Sequence, residues 1–169
     1  MPKPSLDNVL DIKDPMLNDN FEFTFSSIPG GGDRRRMTVQ CKTAVKPGVT
    51  IQEVEMELFG HTVVHAAKKN FSRTFTLEIV ENSKGDISKD LENWMELIRG
   101  TETQHGEFKS VYAVKGTLRI YDQRGDVAAE YEIKNCWPSE IPDSQFDGSG
   151  GAMITISPTF KYDVYKRTR

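Results

Sequence analysis

Several groups of residues in this chain have side chains capable of chemistry, and their spacing decides what each could do. His61 and His65 frame the string His-Thr-Val-Val-His. Two histidines four residues apart can share a zinc ion on a helix, but the string lacks the glutamate of the helical metalloprotease pattern. Its residues alternate as a strand does, which would set the two imidazoles roughly 13 Å apart at about 3.3 Å per residue, too far for one metal. Gly30, Gly31 and Gly32 run into Arg34, Arg35 and Arg36. A phosphate cradle needs a strand-loop-helix setting and a closing Lys-Ser/Thr pair, so this segment reads as a flexible, solvated loop. Glu53, Glu55 and Glu57 sit at alternate positions. Acid-base catalysis by carboxylates needs two groups in different environments across a cleft, whereas three on one strand face share one environment and form a solvated stripe. Cys41 and Cys136 are the only cysteines and form no Cys-x-x-Cys pair; both read as small buried hydrophobes with reduced thiols. No nucleophile with a base and an orienting partner is recognisable, nor any cofactor fingerprint. The expectation is a protein that is not an enzyme, with no metal and no cofactor.

The elements that must position these residues are mostly strands. Phe21, Phe23 and Phe25 alternate with Glu22 and Thr24 from Asn20 onward, the period of a half-buried strand. Pro29 and the three glycines end it. Met37, Val39 and Cys41 predict a strand over 36–43, closed by Pro47 and Gly48. From Thr50 to Leu58 the alternation is sharp, with Val54, Met56 and Leu58 opposite Glu53, Glu55 and Glu57. Gly60 turns this strand into a hairpin that returns through His61 to Ala67, followed by Lys68 and Lys69. The next strand sets Phe75, Leu77 and Ile79 against Thr74, Thr76 and Glu78.

One segment has helical period: Ile87, Leu91, Trp94, Met95 and Ile98 recur at spacings of three and four, with Asp86 as N-cap and Gly100 as the stop. Trp94 belongs to the core on that spacing, and Trp137 before Pro138 reads as a packed anchor at a strand end. Further strands are expected over 110–121 and 128–134, joined by a turn containing Asp122, Arg124, Gly125 and Asp126. A last strand over 153–164 carries Pro158 in its middle, which demands a bulge or an edge. The fold class is mainly β with one α-helix, a β-sandwich or barrel-like subunit. Residues 1–19 read as an N-terminal arm and 20–169 as a single β domain. Many strands with polar alternate faces leave exposed edges, and closure of subunits into a ring would cover them.

Composition narrows the partners. Lys and Arg number 22 against 25 Asp and Glu, a formal charge of -3, which argues against tight binding to nucleic acid through clustered cations. Hydrophobic residues make up 37% and charged residues 28%, the balance of a soluble folded chain. No apolar run reaches the length of a signal core or a membrane span, so no membrane anchor is expected and synthesis in a cytoplasm is.

The order of parts resembles the tail tube proteins of contractile-tailed bacteriophages, which are related in fold to the tube proteins of secretion and injection machines. The resemblance spans residues 20–165. It rests on Asn20-Phe21-Glu22-Phe23, on VEMELFGHTVV and FTLEI between residues 54 and 79, on the helix LENWMELI, and most specifically on residues 112–163. That last stretch looks like the family's closing hairpin, Trp-Pro corner, polar loop and final strand. The N-terminal arm and the insert Gly30 to Arg36 have no counterpart in the pattern.

The resemblance implies six subunits per ring, with inner strands joined into one continuous barrel. Rings would stack inside a contractile sheath, and DNA would cross the lumen on ejection without specific binding. Implied partners are the chain itself, the tail sheath protein, the tape measure protein, the baseplate hub and the tail terminator. The implied location is the virion tail, after assembly in the host cytoplasm. Lumen candidates are the polar partners of the alternating strands: Glu53, Glu55, Glu57, Thr74, Thr76 and Glu78. By the same analogy Phe59, His61, Val63, His65, Lys68 and Lys69 of the hairpin, with Ser139 and Phe146 of the polar loop, are candidate contacts between subunits or rings. Two other readings stand beside this one: a tube subunit of a DNA-free contractile injection or secretion machine, and a monomeric β-sandwich that binds a ligand near Trp137 and the loop over 139–151.

Overall fold

Phe23 and Phe25 each retain only 2% exposure, because the alternation of β1 (Phe21–Phe25) turns both rings to the same interior. A computed structural model of the chain describes Leu6, Leu10 and residues 14–169; most of the arm expected over 1–19 lies outside the described residues. The remaining strands are β2 (Cys41–Ala44), β3 (Val49–Leu58), β4 (His61–Phe71), β5 (Thr74–Val80), β6 (Val114–Tyr121), β7 (Val127–Glu140), β8 (Thr155–Ile156), β9 (Thr159–Lys161) and β10 (Val164–Arg167). Eight of them form one sheet in the order β1-β6-β7-β9-β5-β2, with β10 added on β7 and β8 on β5. The sheet curls until its two ends, β1 and β2, lie near each other. β3 and β4 pair only with each other.

The core is aromatic. Phe75 and Phe160 stack at 5.3 Å, and Phe25 meets the Trp94 ring edge-on at 5.5 Å. Such pairs add to the area term because the positive edge of one ring meets the negative face of another. Trp94 comes from a helix of residues Asp86–Ile98, which also buries Ile87 and Leu91 completely. Its indole N–H donates to the Tyr112 carbonyl at 2.8 Å, so the one polar atom of the ring is satisfied.

From residue 14 onward three helices are present where one was expected: α1 (Arg34–Val39), α2 (Asp86–Ile98) and α3 (Lys109–Tyr112). The strand predicted over 36–43 is α1 followed by β2. Asp33 caps α1 by accepting the Arg35 N–H at 2.9 Å, Met37 turns inward at 3% exposure, and Val39, which alternation placed in the core, is 84% exposed. A local cap and one buried anchor override a short period-two pattern. α3 likewise occupies the start of the strand expected over 110–121.

The glycine-arginine segment is not a loose loop. It lies on α2, and Gly30 passes so close that a Cβ there would come within 3.0 Å of the Asn93 backbone. The buried Asp90 of α2 accepts the Asp33 N–H at 3.2 Å and the Arg36 guanidinium at 3.3 Å. Glycine and arginine thus serve packing and charge pairing here.

Asp86 is the first residue of α2 rather than its cap. Gly85 occupies the cap position with φ of 69°, and the preceding residues supply the acceptors: Asn82 Oδ1 takes the Asp86 N–H, while Glu81 takes the N–H groups of Ile87 and Ser88 and the Ser88 hydroxyl. Burial would push the Glu81 carboxyl up, but these donors outweigh it and hold the group below the usual carboxylate range.

β7 runs past the expected Lys134 to Glu140, carrying Trp137 and Pro138 within it after Asn135 takes φ of 59°. The predicted strand over 153–164 is broken at Pro158 into β8 and β9, since proline cannot donate to a ladder, and a second break at Tyr162 and Asp163 precedes β10.

Candidate functional site

The β3–β4 hairpin is the part of the chain that its own fold leaves without cover. Leu58 pairs with His61, and Phe59 and Gly60 turn the chain with φ of 51° and 78°. Two positive φ values in a two-residue loop match the right-handed twist of the strands. Glycine accepts this freely, whereas phenylalanine is strained there and is nevertheless 99% exposed. Every residue of β3, and of β4 as far as Lys69, is exposed.

The hairpin has two unlike faces. Cross-strand partners share a side, so the pairs Val54–His65, Met56–Val63 and Leu58–His61 make one face of apolar and imidazole groups. The pairs Glu53–Ala66, Glu55–Val64 and Glu57–Thr62 make the other, where the three carboxylates line up. None of the three joins an ion pair among the described residues. Lower down, Ile51 pairs with Lys69, so Ala67 and Lys68 together oppose Gln52 in a bulge that reverses the sides of β4. The Lys69 ammonium lies over the Phe71 ring at 5.7 Å. At the root, the Ser72 N–H donates to the Gly48 carbonyl at 3.3 Å and the Ser72 and Tyr162 hydroxyls are 3.0 Å apart, fixing the hairpin to the domain.

Thr74, Thr76 and Glu78 are half-buried on the outward side of β5, in the large sheet rather than on the hairpin. Two of the three are engaged within the subunit: Lys161 donates to Thr74 at 3.0 Å, and Lys42 and Thr43 donate to Glu78 at 2.9 and 3.1 Å. The Lys42 ammonium and the Thr43 hydroxyl hold the Glu78 carboxyl below its usual range. The six lumen candidates therefore divide into an unpaired hairpin trio and a sheet trio whose one charge is neutralised.

Ser139 and Phe146 are separated in kind. The Ser139 hydroxyl donates to the Thr159 carbonyl at 3.1 Å, while Phe146 stands 79% exposed in the loop after β7. Trp137 is half-buried with its ring edge-on to Tyr112 at 6.0 Å. Cys136 is fully buried and its thiol is pushed up by desolvation to about 12; half-buried Cys41 is pushed up to about 11 for the same reason. Neither supplies a thiolate nucleophile near neutral pH.

Known proteins place this arrangement. The sequence profile described as phage tail tube protein matches residues 12–168. The chain belongs to the phage tail tube protein family. A relative, the tail tube protein gp19 of Enterobacteria phage T6, is 21% identical over 135 residues, covering 78% of this chain and 82% of that protein. Two solved structures share the fold. One is the sheath/tube terminator of the PVC extracellular contractile injection system, with a TM-score of 0.70, 13% identity and coverage of 94% and 99% of the two chains. The other comes from the sheath-tube complex of the same system, with a TM-score of 0.67, 12% identity and coverage of 98% and 99%. As a tail tube protein the chain is a structural subunit of the virion tail. Among the described residues no helix is long and apolar enough to cross a membrane.

Two features went unread in the sequence. The outward face of β1, β6 and β7 carries an ion-pair ladder in which Arg119 bonds Glu130 at 2.7 Å and Glu22 at 3.4 Å, with Lys115 and Lys134 on Glu132. The alternation of KGTLRIY and AAEYEIK signalled polar faces, but not which charges would meet. The second is an apolar groove between β1 and β2, formed by residues far apart in sequence that no local pattern links.

Proposed function

We propose that six copies of this tail tube subunit close into a ring whose sheets join as one continuous barrel. Rings stack into a conduit inside a contractile sheath, and DNA passes through its lumen on ejection. The carrying observation is the β3–β4 hairpin, a long two-stranded ribbon without internal cover. An isolated hairpin is marginal in water, and an apolar face left in solvent marks a surface made for another protein. Phe59, His61, Val63, His65, Lys68 and Lys69 belong to that contact, with Phe146 of the exposed loop as a further one and Ser139 holding the root of that loop. Assembly takes place in the host cytoplasm, around the tape measure protein, from the baseplate hub up to the terminator.

The lumen is lined by Glu53, Glu55 and Glu57 together with Thr74, Thr76 and Glu78. The unpaired hairpin carboxylates repel phosphate and keep DNA from adhering, while the β5 row presents a neutralised polar wall. Residues 20–169 act as one assembly unit and the arm over 1–19 engages neighbours.

Replacing Glu53, Glu55 and Glu57 together by lysine tests the lumen assignment. Tubes are expected to form and to be seen by negative-stain electron microscopy, with DNA ejection slowed in the reconstituted virion. Unchanged ejection kinetics would remove these residues from the lumen.

A further inference from the structure

We infer that the apolar groove at the seam between β1 and β2 is the receptor for the apolar hairpin face of a second copy of this chain. This rests on the tail tube reading and adds which surface of the neighbour receives the hairpin. The groove is a cleft of about 250 Å³ lined chiefly by Met16, Leu17, Phe21, Ala44, Leu118 and Ile120. Met16 and Leu17 are 56% and 47% exposed, so its apolar wall faces solvent in the isolated subunit. β1 and β2 end the sheet, and among the described residues each is paired to one neighbour alone, so both sides of the seam carry an unpaired strand edge.

The hairpin cannot fill its own groove. Lys46, the one charged lining residue among those described, is followed by Pro47 and Gly48, and the hairpin begins at Val49. From that root β3 extends for 10 residues, roughly 33 Å at about 3.3 Å per residue, and no hairpin residue lines the groove. Donor and acceptor thus stand at opposite ends of one ribbon. A surface pair of that kind is heterologous: each copy gives its hairpin to one neighbour and takes another's, which generates rings or open stacks.

Charge selects which hairpin face enters. Among the described residues no carboxylate lines the groove, and Lys46 already rests its ammonium over the Tyr131 ring at 5.1 Å. The face of Val54, Met56, Leu58 and Val63 is apolar and carries no carboxylate, whereas the opposite face would bury three carboxylates without partners. The apolar face therefore turns inward and the glutamates stay in water.

Mixing two exposed-site variants tests this. Leu58→Cys and Leu17→Cys chains are prepared separately, mixed, and treated with a short thiol-specific cross-linker at pH 7.5, with the unaltered chain as the control for the natural thiols Cys41 and Cys136. A covalent 1:1 pair in the mixture, absent from a Leu58→Cys and Lys166→Cys mixture, is expected. In parallel, a Met56→Asp, Leu58→Asp chain keeps a groove without a working hairpin, and a Leu17→Asp chain keeps a hairpin without a working groove. Each is expected to associate at least about tenfold more weakly with itself than the unaltered chain does, yet the two together form a 1:1 dimer by light scattering. Circular dichroism melts confirm that each variant is folded. Normal tube assembly by Leu17→Asp, or a Leu58→Cys chain that cross-links to Lys166→Cys as readily as to Leu17→Cys, overturns the groove assignment and leaves the tail tube reading intact. An unaltered chain that stays monomeric at every concentration, even with its baseplate present, overturns both.

Discussion

The sheet core and the β3–β4 hairpin share one sequence pattern and meet opposite fates. In β5 the alternation of Phe75, Leu77 and Ile79 with polar residues buries all three to 2% exposure or less. In β3 the same alternation leaves Val54, Met56 and Leu58 at 56%, 42% and 51%. The difference lies in what stands opposite. β5 has β2, β8 and β9 beside it and the aromatic cluster beneath, whereas β3 has only β4. Period-two patterning thus encodes a two-sided ribbon but not the owner of its apolar side. When the fold supplies no owner, a second molecule is the remaining one.

The largest expected effect falls on the core side of this comparison. Trp94→Ala removes a fully buried ring that contacts Phe25 and Phe160, and it leaves the Tyr112 carbonyl without its donor. A loss of about 3–5 kcal/mol is expected in urea unfolding of the isolated subunit. Since small domains hold about 5–15 kcal/mol in all, that loss removes a large fraction of the subunit's stability and should lower its melting temperature markedly. A loss below about 1 kcal/mol would mean that the cluster is not what holds the sheet to α2.

The strands and the main helix were legible because their signals are local. The triple phenylalanine alternation, the turn at Gly60 and the Ile87-Leu91-Trp94 spacing each carry their own geometry. What misled was also local: Met37, Val39 and Cys41 alternate like a strand, but Asp33 caps a helix and Asp90, 54 residues beyond Arg36, secures it. The Gly30–Gly32 run looked like freedom, although close approach to Asn93 requires a glycine at 30 and close approach to Ile28 requires one at 32. Of the candidate surface, the hairpin residues were readable as a set. The groove was not, since Leu17, Ala44 and Leu118 meet only through the curl of the sheet.

A smaller effect is expected where α2 is anchored. Glu81→Ala removes the carboxylate that accepts two backbone N–H groups at the helix start, with an expected cost of about 1 kcal/mol at neutral pH. The sign of its pH dependence follows from its lowered value. The folded group binds its proton more weakly than the unfolded one, so its contribution is complete above the ordinary carboxylate range and is lost as pH falls through the folded value. Unfolding midpoints of the two chains should therefore converge on acidification below about pH 4. A gap that persists at about pH 2 would mean that the side chain acts by packing.

The smallest effect on the subunit should come from the hairpin, and there the contrast is sharpest. Met56→Ser with Leu58→Ser removes apolar atoms already in water, so subunit stability should change by no more than about 0.5 kcal/mol. Self-association should nevertheless be lost, because the same atoms are the ones a neighbour would bury. Trp94→Ala predicts the reverse order of cause: assembly fails only as far as the subunit unfolds. Measuring urea midpoint and scattering mass on both variants separates the two. If the serine pair destabilises the isolated subunit as much as a core change does, the hairpin apolar face is packed against its own domain in solution. It would then not be free to receive a neighbour.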